Sequence, residues 1–182
     1  VDYVNKKRVA QGKAPFEPLY LPPDVDKIIS QFQTEPLKRQ VDLGNGVKLV
    51  MHSAGHILGS AIIQLDVTDA TGASKRLVFT GDLGQPGQPI IRPADTVSDV
   101  DALIIESTYA DREHPPKDDV SGRLKSYIEE IHQQKARLII PAFSVGRTQH
   151  ILYYLSELLE HKRIPLTPVF VDSPLSLKAT KI

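Results

Sequence analysis

Three short segments of the sequence carry residues suited to metal binding and acid–base chemistry. His56 lies in a glycine-containing loop, Asp82 follows a predicted strand at residues 76–80, and Glu106 follows the apolar residues 102–105. Neutral imidazole is the commonest metal ligand in proteins, and a carboxylate at a strand end can bind or bridge cations. Because strand ends at one edge of a sheet can converge on one cleft, we expect these three side chains to lie near one another.

Each of these residues also has a simpler interpretation when it is taken alone. His56 could be a hydrogen-bonded surface or core histidine, and Asp82 could be a turn aspartate that caps its own backbone. The stretch that begins at Glu106 could be a solvated acidic loop paired with Arg112. Further groups suited to acid–base chemistry follow in that stretch, namely Asp111, Glu113 and His114.

The composition restricts how a metal can be held. The chain has 182 residues, 22 basic and 22 acidic side chains, and no cysteine. Without cysteine there are no disulfides, no Cys-ligated zinc and no thiol nucleophile, so a metal must be held by His, Asp or Glu. An intracellular, cytoplasmic location fits this composition. No apolar run approaches the roughly 20 residues that span a bilayer, so no membrane association is expected.

The neutral total charge hides an uneven distribution along the chain. Residues 95–119 carry 2 basic and 8 acidic side chains, whereas residues 120–182 carry 9 basic and 5 acidic ones. Binding of phosphate requires only a local basic surface. The zero net charge therefore does not exclude a nucleic acid as partner.

Hydrophobic periodicity predicts the elements that position these residues in the first half of the chain. Asp24 is a candidate cap for a short helix whose apolar face recurs through residues 25–32. Four strands are predicted, at residues 37–43, 47–51, 60–68 and 76–80. The first pair surrounds Gly44-Asn45-Gly46, a hairpin signal, and the second pair surrounds Asp69-Ala70-Thr71-Gly72. Residues 37–80 should therefore form an antiparallel meander. A short buried strand is predicted at residues 102–105.

The pattern changes after Pro115-Pro116. Helices are predicted around residues 120–131 and 151–159, and strands at residues 138–140 and 169–171. Helices that alternate with strands over short links imply a parallel α/β sheet. We therefore place a domain boundary near residue 115, which separates domains 1–115 and 116–182. His150 is interpreted as a surface residue of the second helix.

Five motifs in this order resemble the β-CASP nuclease branch of the metallo-β-lactamase fold family. They lie at residues 54–61, 80–84, 106–109, 140–149 and 171–175. The resemblance covers most of residues 40–176. It implies an α/β protein in which residues 1–115 form part of a metallo-β-lactamase αβ/βα sandwich. Residues 116–182 would then begin the parallel α/β β-CASP domain.

The resemblance implies roles for three of the residues. His56 would ligate one zinc ion, and Asp82 would bridge two. Glu106 would hydrogen-bond a histidine supplied later in the chain and so help to protonate the leaving group. His52 matches no ligand position of the family and is interpreted as structural.

Two turns between predicted strands and helices carry candidate contacts to RNA phosphates. Ser144 and Arg147 lie at the first turn, and Ser173 lies at the second. Helix N-termini present free N–H groups to phosphate, and arginine can add a bidentate contact. An equally weighted alternative makes the two serines helix caps and pairs Arg147 with a nearby carboxylate.

The sequence also departs from the family pattern. The main metal motif of the family, His-x-His-x-Asp-His, does not occur in it, and neither do the later β-CASP histidines. We therefore expect this chain to be an internal part of a longer protein. Its metal site should be incomplete, with two zinc ions bound only in the full-length protein.

The predicted function is zinc-dependent hydrolysis of RNA phosphodiester bonds during RNA processing or decay, by endonucleolytic or exonucleolytic cleavage. The candidate partners are RNA, a second copy of the chain and a partner nuclease subunit. Alternatives are a catalytically inactive relative that binds RNA or acts as a scaffold, a small-molecule metallo-hydrolase, and a nuclease that acts on DNA.

Overall fold

The computed structural model describes residues 2–112 and 119–181. The density of internal contacts divides the chain into two units, Val1–Pro36 and Leu37–Ile182. The predicted boundary near residue 115 falls outside the described residues. The division into domains 1–115 and 116–182 therefore stays a prediction.

The first unit contains two short helices, α1 (Asp2–Ala10) and α2 (Pro22–Ile29). α1 was not predicted, because the sequence there is mostly polar and shows no apolar face. α2 confirms the predicted short helix but begins at Pro22, before the predicted cap Asp24. Asp24 lies inside its first turn, where its carboxylate accepts a hydrogen bond of 2.8 Å from the backbone N–H of Leu21.

The second unit is built on one five-stranded sheet with the strand order β1-β2-β3-β4-β5. The strands are β1 (Gln40–Gly44), β2 (Val47–Ser53), β3 (Ala61–Thr68), β4 (Ser74–Phe79) and β5 (Ala102–Ile104). β1 to β4 pair antiparallel, which confirms the predicted meander, and β5 joins β4 in parallel. β2, β4 and β5 therefore run in the same direction, because each antiparallel neighbour reverses the chain. Their C-terminal ends share one edge of the sheet.

Both predicted hairpin turns are confirmed. The residues of Gly44-Asn45-Gly46 have positive φ angles of 81°, 52° and 76°, which glycine and asparagine adopt with little strain. A Cβ at Gly46 would lie 2.3 Å from the carbonyl oxygen of Thr68, so glycine is also required for space. In the second turn, Asp69 Oδ1 accepts a hydrogen bond of 2.8 Å from the backbone N–H of Thr71.

β5 is shorter and more exposed than its sequence predicts. Leu103 and Ile104 are 53% and 51% exposed, so the prediction of a buried strand at residues 102–105 is wrong. β5 is the edge strand of the sheet. An apolar run shows that a strand can be buried, but it carries no information about what covers it.

The rest of the second unit is helical, with α3 (Val120–Gln134), α4 (Arg147–Glu160) and α5 (Pro174–Thr180). α3 and α4 confirm the two predicted helices and extend them. Their apolar faces meet in a buried cluster formed by Leu124, Ile128, Leu155, Leu158 and Ile164. None of the helices in the described ranges combines the length and the apolar character required to cross a membrane.

The two strands predicted beside these helices do not form. Residues 138–140 and 169–171 belong to no ladder in the described part of the chain. Leu138 packs against the helical cluster, but Ile139 and Phe170 are 84% and 90% exposed. Two neighbouring strands bury too little surface to be stable alone. The second unit is thus mixed α/β with one five-stranded sheet, and the αβ/βα sandwich stays a prediction.

Candidate functional site

The loop after β2 presents His56 at the shared edge of the sheet. Ser60 Oγ accepts hydrogen bonds from the backbone N–H groups of His56 at 3.1 Å and Ile57 at 3.2 Å, which closes the loop. Gly55 has a φ of 67°, and a Cβ there would lie 2.6 Å from the backbone nitrogen of Ala94. The tight turn leaves the imidazole of His56 exposed at the surface.

The loop after β4 packs directly against the loop of His56. The backbone N–H of Gly84 donates a hydrogen bond of 2.9 Å to the carbonyl of Ala54. A Cβ at Gly84 would lie 1.5 Å from the carbonyl oxygen of Gly55, so only glycine permits this approach. Asp82 lies two residues before Gly84 and is therefore carried to the loop of His56.

His56 and Asp82 come together at this edge although they lie far apart in sequence. Nε2 of His56 is 3.9 Å from Oδ2 of Asp82, and the two side chains are 43% and 75% exposed. Zinc binds imidazole nitrogen and carboxylate oxygen at about 2.0–2.2 Å, so two donors at this separation can reach one ion. The pair therefore fits part of a metal site. Within residues 2–112 and 119–181, no group of three or more His, Asp or Glu side chains is placed to hold a metal ion.

Glu106 lies two residues after the end of the neighbouring strand β5, at the same edge of the sheet, and contacts the loop of Asp82. Its Oε1 accepts a hydrogen bond of 2.6 Å from the backbone N–H of Leu83. Hydrogen bonds from the Thr108 side chain and from the Leu83 backbone hold the pKa of the Glu106 carboxyl below its usual value, and His56 acts in the same direction. Glu106 is therefore a carboxylate at neutral pH.

The contacts of Asp82, Arg112 and His52 test the simpler structural roles that the sequence allowed. Asp82 accepts no backbone hydrogen bond in the described part of the chain, so it is not a turn cap. Arg112 lies 3.8 Å from Asp111 and over the ring of Tyr109, and its guanidinium is not paired with Glu106. His52 forms a hydrogen bond of 2.9 Å with Gln64, which supports a structural role. Two further acid–base candidates, Glu113 and His114, lie outside the described residues.

The two turns that precede α4 and α5 lie side by side. The hydroxyl groups of Ser144 and Ser173 are 3.1 Å apart and hydrogen-bonded. Ser173 also caps α5, because its Oγ accepts a hydrogen bond from the backbone N–H of Ser176 at 3.1 Å. The cap interpretation thus holds for Ser173, whereas α4 has Gly146 and not Ser144 at its N-cap.

Gln149 joins the first of these turns to the last residue of α5, and sequence reasoning gave it no role. Its Oε1 accepts a hydrogen bond of 2.7 Å from the backbone N–H of Gly146. Its Nε2 donates to the carbonyl of Ser144 at 3.2 Å and to the hydroxyl of Thr180 at 3.0 Å. A Gln three residues after an N-cap is the available signal, because this is where the acidic or amide member of a capping box lies.

Arg147 is exposed at the start of α4, and no carboxylate pairs with it among the described residues. His150, one turn further on, is not the surface residue that was predicted. Its Nε2 is buried without a hydrogen-bond partner in the described part of the chain. Burial, and then the charge of Arg147, lower the pKa of His150, so its imidazole is neutral at pH 7.

The start of α4 lies beside the loop of His56. A Cβ at Gly146 would be 3.3 Å from Cγ2 of Ile57, the residue that follows His56. The backbone at Gly146 therefore lies close to the Ile57 side chain, with little more space than a methyl group between them. This places a cationic helix N-terminus near the candidate metal ligands.

The chain is similar in sequence to several known proteins. The chain is 30% identical over 160 residues to Ribonuclease TTHA0252 of Thermus thermophilus and 29% identical over 159 residues to the RNase J-like protein of Methanocaldococcus jannaschii. It is 27% identical over 179 residues to Cleavage and polyadenylation specificity factor subunit 3 of Dictyostelium discoideum. No family model matches the chain.

These similarities cover most of this chain but only part of each relative. The matched segments span 88%, 86% and 97% of the chain, in the order given, and 35%, 37% and 22% of the three relatives. They include the sheet edge with His56 and Asp82. The resemblance carried by the five motifs is therefore confirmed, and the chain belongs to the β-CASP branch of the metallo-β-lactamase-fold ribonucleases.

Proposed function

We propose that the full-length protein hydrolyses RNA phosphodiester bonds with metal ions held at the shared edge of β2, β4 and β5. The observation that carries this proposal is the meeting of His56 Nε2 and Asp82 Oδ2 at 3.9 Å. The names of the relatives, which include ribonucleases, support RNA as the substrate. The chain spans about a third or less of their length, so the activity is proposed for the full-length protein.

His56 and Asp82 are the residues of this chain that would hold the metal, which we propose to be two zinc ions. Imidazole and carboxylate suit zinc, and the absence of cysteine leaves these donors. A bound metal supplies hydroxide at neutral pH and polarises the phosphate. A catalytic zinc usually has three protein ligands, so the remaining ligands would come from other parts of the full-length protein.

Arg147 would bind the RNA backbone next to this site. It is exposed, unpaired with any described carboxylate, and located at a helix N-terminus where free N–H groups and the helix dipole favour phosphate. The closeness of Gly146 to the Ile57 side chain supports a phosphate position near the metal ligands. Ser144 and Ser173 would contribute mainly by fixing the two turns, because their hydroxyl groups bond to each other.

Replacing Asp82 by Ala in the full-length protein tests the proposed metal site. We expect zinc content, measured by elemental analysis, to fall and RNA cleavage to drop to background, while the circular dichroism spectrum is retained. Glu129→Ala is the matched control, because Glu129 is an exposed carboxylate of the same unit whose ion pair is with Lys125. Wild-type cleavage by Asp82→Ala would refute the assignment.

The same experiment separates the alternative functions. Tight RNA binding without cleavage by the wild-type protein would favour a catalytically inactive RNA-binding relative. Cleavage of single-stranded DNA in preference to RNA of the same sequence would favour a DNA nuclease. Cleavage of RNA that disappears with Asp82→Ala supports the ribonuclease.

Arg147→Ala tests the phosphate contact in the inactive Asp82→Ala background. Loss of one phosphate contact should weaken RNA binding several-fold and reduce the slope of log affinity against log salt by about one. Arg163→Ala is the matched control, since Arg163 is exposed beyond the other end of α4. An unchanged affinity and salt slope for Arg147→Ala would remove the phosphate role.

The proposed protein partner of the full-length protein is another subunit. One relative is named as a subunit of a cleavage and polyadenylation factor, which favours assembly with another nuclease subunit or with a second copy of the chain. Light scattering of the purified full-length protein distinguishes these, because a homodimer has twice the mass of one chain. A monomer that gains mass only with cell extract would favour a different subunit.

A further inference from the structure

The side chain of Glu106 makes a short hydrogen bond to the loop of Asp82. Its Oε1 accepts a hydrogen bond of 2.6 Å from the backbone N–H of Leu83, the residue directly after Asp82. A hydrogen bond to an ionised acceptor is shorter and roughly twice as strong as a neutral one. The Leu83 side chain packs against the buried cluster of Ala54, Ile62 and Val78. The backbone next to Asp82 is therefore fixed from two sides.

Glu106 is itself held in place by the end of β4. Its backbone N–H donates to Thr80 Oγ1 at 3.3 Å, and the Thr80 hydroxyl donates to the carbonyl of Gly81 at 2.8 Å. The backbone N–H of Thr80 donates to the carbonyl of Ile104 at 3.0 Å. Thr80 is only 5% exposed, so these bonds are shielded from water. The ends of β4 and β5 are thus joined on both sides of Asp82.

We propose that Glu106 is a positioning residue for the metal site: its side chain holds the Leu83 amide and so keeps Asp82 within reach of His56. This inference deepens the proposed function and rests on it for the identity of the metal. The physical reason is that Asp82 makes no hydrogen bond of its own among the described residues, so its position depends on its neighbours. Outer partners of this kind typically change metal affinity 10–100-fold when they are removed.

Two substitutions of Glu106 separate the effect of its side-chain length from the effect of its charge. Glu106→Gln keeps the length of the side chain and a carbonyl oxygen that can accept from Leu83, but it removes the charge. Glu106→Asp keeps the charge but is one methylene shorter, so it cannot reach the Leu83 amide. Glu129→Ala, at an exposed carboxylate of α3 in the same unit, is the matched control.

The first measurement is amide hydrogen exchange of residues 81–84 in the metal-free, full-length protein. Losing a hydrogen bond to a charged group should speed exchange by about tenfold or more. We expect this acceleration in Glu106→Asp and rates within about threefold of wild type in Glu106→Gln. The second measurement is zinc affinity by competition with a chromophoric chelator, for which we expect the same order of variants and a 10–100-fold loss in Glu106→Asp.

The results that would overturn the inference are equally definite. Wild-type exchange and zinc affinity in Glu106→Asp would show that the Leu83 contact does not position Asp82. Faster exchange and weaker zinc binding in Glu106→Gln than in Glu106→Asp would show that the charge of the side chain, and not its reach to Leu83, is what matters. The exchange measurement uses neither RNA nor metal, so it remains valid if the proposed nuclease activity fails. Failure of that activity would instead be seen as wild-type cleavage in Asp82→Ala.

Discussion

The sheet edge and the paired helix turns are two candidate parts of one site, and they are held together in different ways. At the sheet edge, the loops of His56 and Asp82 approach through backbone atoms of Gly55 and Gly84, where no side chain fits. At the helix turns, one side chain, Gln149, makes three hydrogen bonds. Substitutions that add atoms should therefore disrupt the sheet edge, and substitutions that remove hydrogen-bonding atoms should disrupt the helix turns.

This difference suits the proposed roles of the two parts. Two metal ligands must keep a separation of a few ångströms, which a direct contact of backbones enforces. A phosphate contact by an exposed arginine tolerates more movement, because the attraction between charges falls off gradually with distance. Each prediction below changes one part and leaves the other intact.

The largest effect is expected from Gly84→Ala at the sheet edge. Its Cβ would lie 1.5 Å from the carbonyl oxygen of Gly55, so the two loops must separate. We expect the free energy of unfolding, measured with urea, to fall by about 3 kcal/mol. Zinc binding by the full-length protein should be lost as well.

Gly59→Ala is the control for this prediction. Gly59 has a φ of 82°, but a Cβ placed there would have no atom within 4 Å, so only backbone strain of about 1–2 kcal/mol is expected. Equal losses of stability in the two variants would show that the approach of the loops at Gly84 is not a constraint.

An intermediate effect is expected from Gln149→Ala at the helix turns. The substitution removes three hydrogen bonds and should lower the free energy of unfolding by about 1–3 kcal/mol. Exchange of the Gly146 amide should accelerate, while zinc affinity should stay near that of the wild type. Gln134→Ala removes one exposed bond to Glu130 and should change stability by less than about 0.5 kcal/mol. A loss in Gln134→Ala that matches that of Gln149→Ala would refute the bridging role.

The smallest effect concerns the dependence of stability on pH. Asp95 holds the end of β2 before the His56 loop, with bonds from Lys38 at 2.7 Å and from the Ser53 backbone N–H at 2.8 Å. These bonds, that of Lys38 first, lower the pKa of Asp95 in the folded state. Its contribution is therefore present above the unfolded pKa of about 3.9 and is lost as pH falls through the lower, folded pKa.

Asp95→Asn tests this contribution through the stability curve between about pH 5 and pH 2. We expect the free energy of unfolding to decline less steeply with acid than in the wild type, because one low-pKa carboxylate is gone. Lys38→Met should reproduce part of this change by removing the partner. A decline as steep as that of the wild type in both variants would contradict the assignment.

Local patterns predicted much of this structure. The antiparallel meander follows from alternating apolar residues and from glycine and asparagine at turns that need positive φ, and both causes act over a few residues. The same holds for α3 and α4, whose apolar faces recur at helical spacing. The strand predictions at residues 138–140 and 169–171 were wrong because a strand also needs a partner strand, and an apolar run does not show whether one is present.

The sequence predicted the residues of the candidate site but not the contacts that hold those residues in place. His56, Asp82 and Glu106 were identified from their types, their positions after strands and a family resemblance. Gln149 was missed because its spacing from Gly146 signals only a local capping contact, whereas its bond to Thr180 joins residues 31 positions apart. His150 was assigned to the surface because the sequence does not show which side of α4 is covered there.

The sequence by itself determined the donors available for a metal, the order of most strands and helices, and the glycines that permit tight turns. These depend on residue type and on short-range geometry. Only the tertiary structure decided that β2, β4 and β5 end at one edge, that Gly84 brings Asp82 to His56, and that Glu106 binds the Leu83 amide. Such contacts depend on strand direction and on the pairing of distant segments, which the order of residues along one element does not specify.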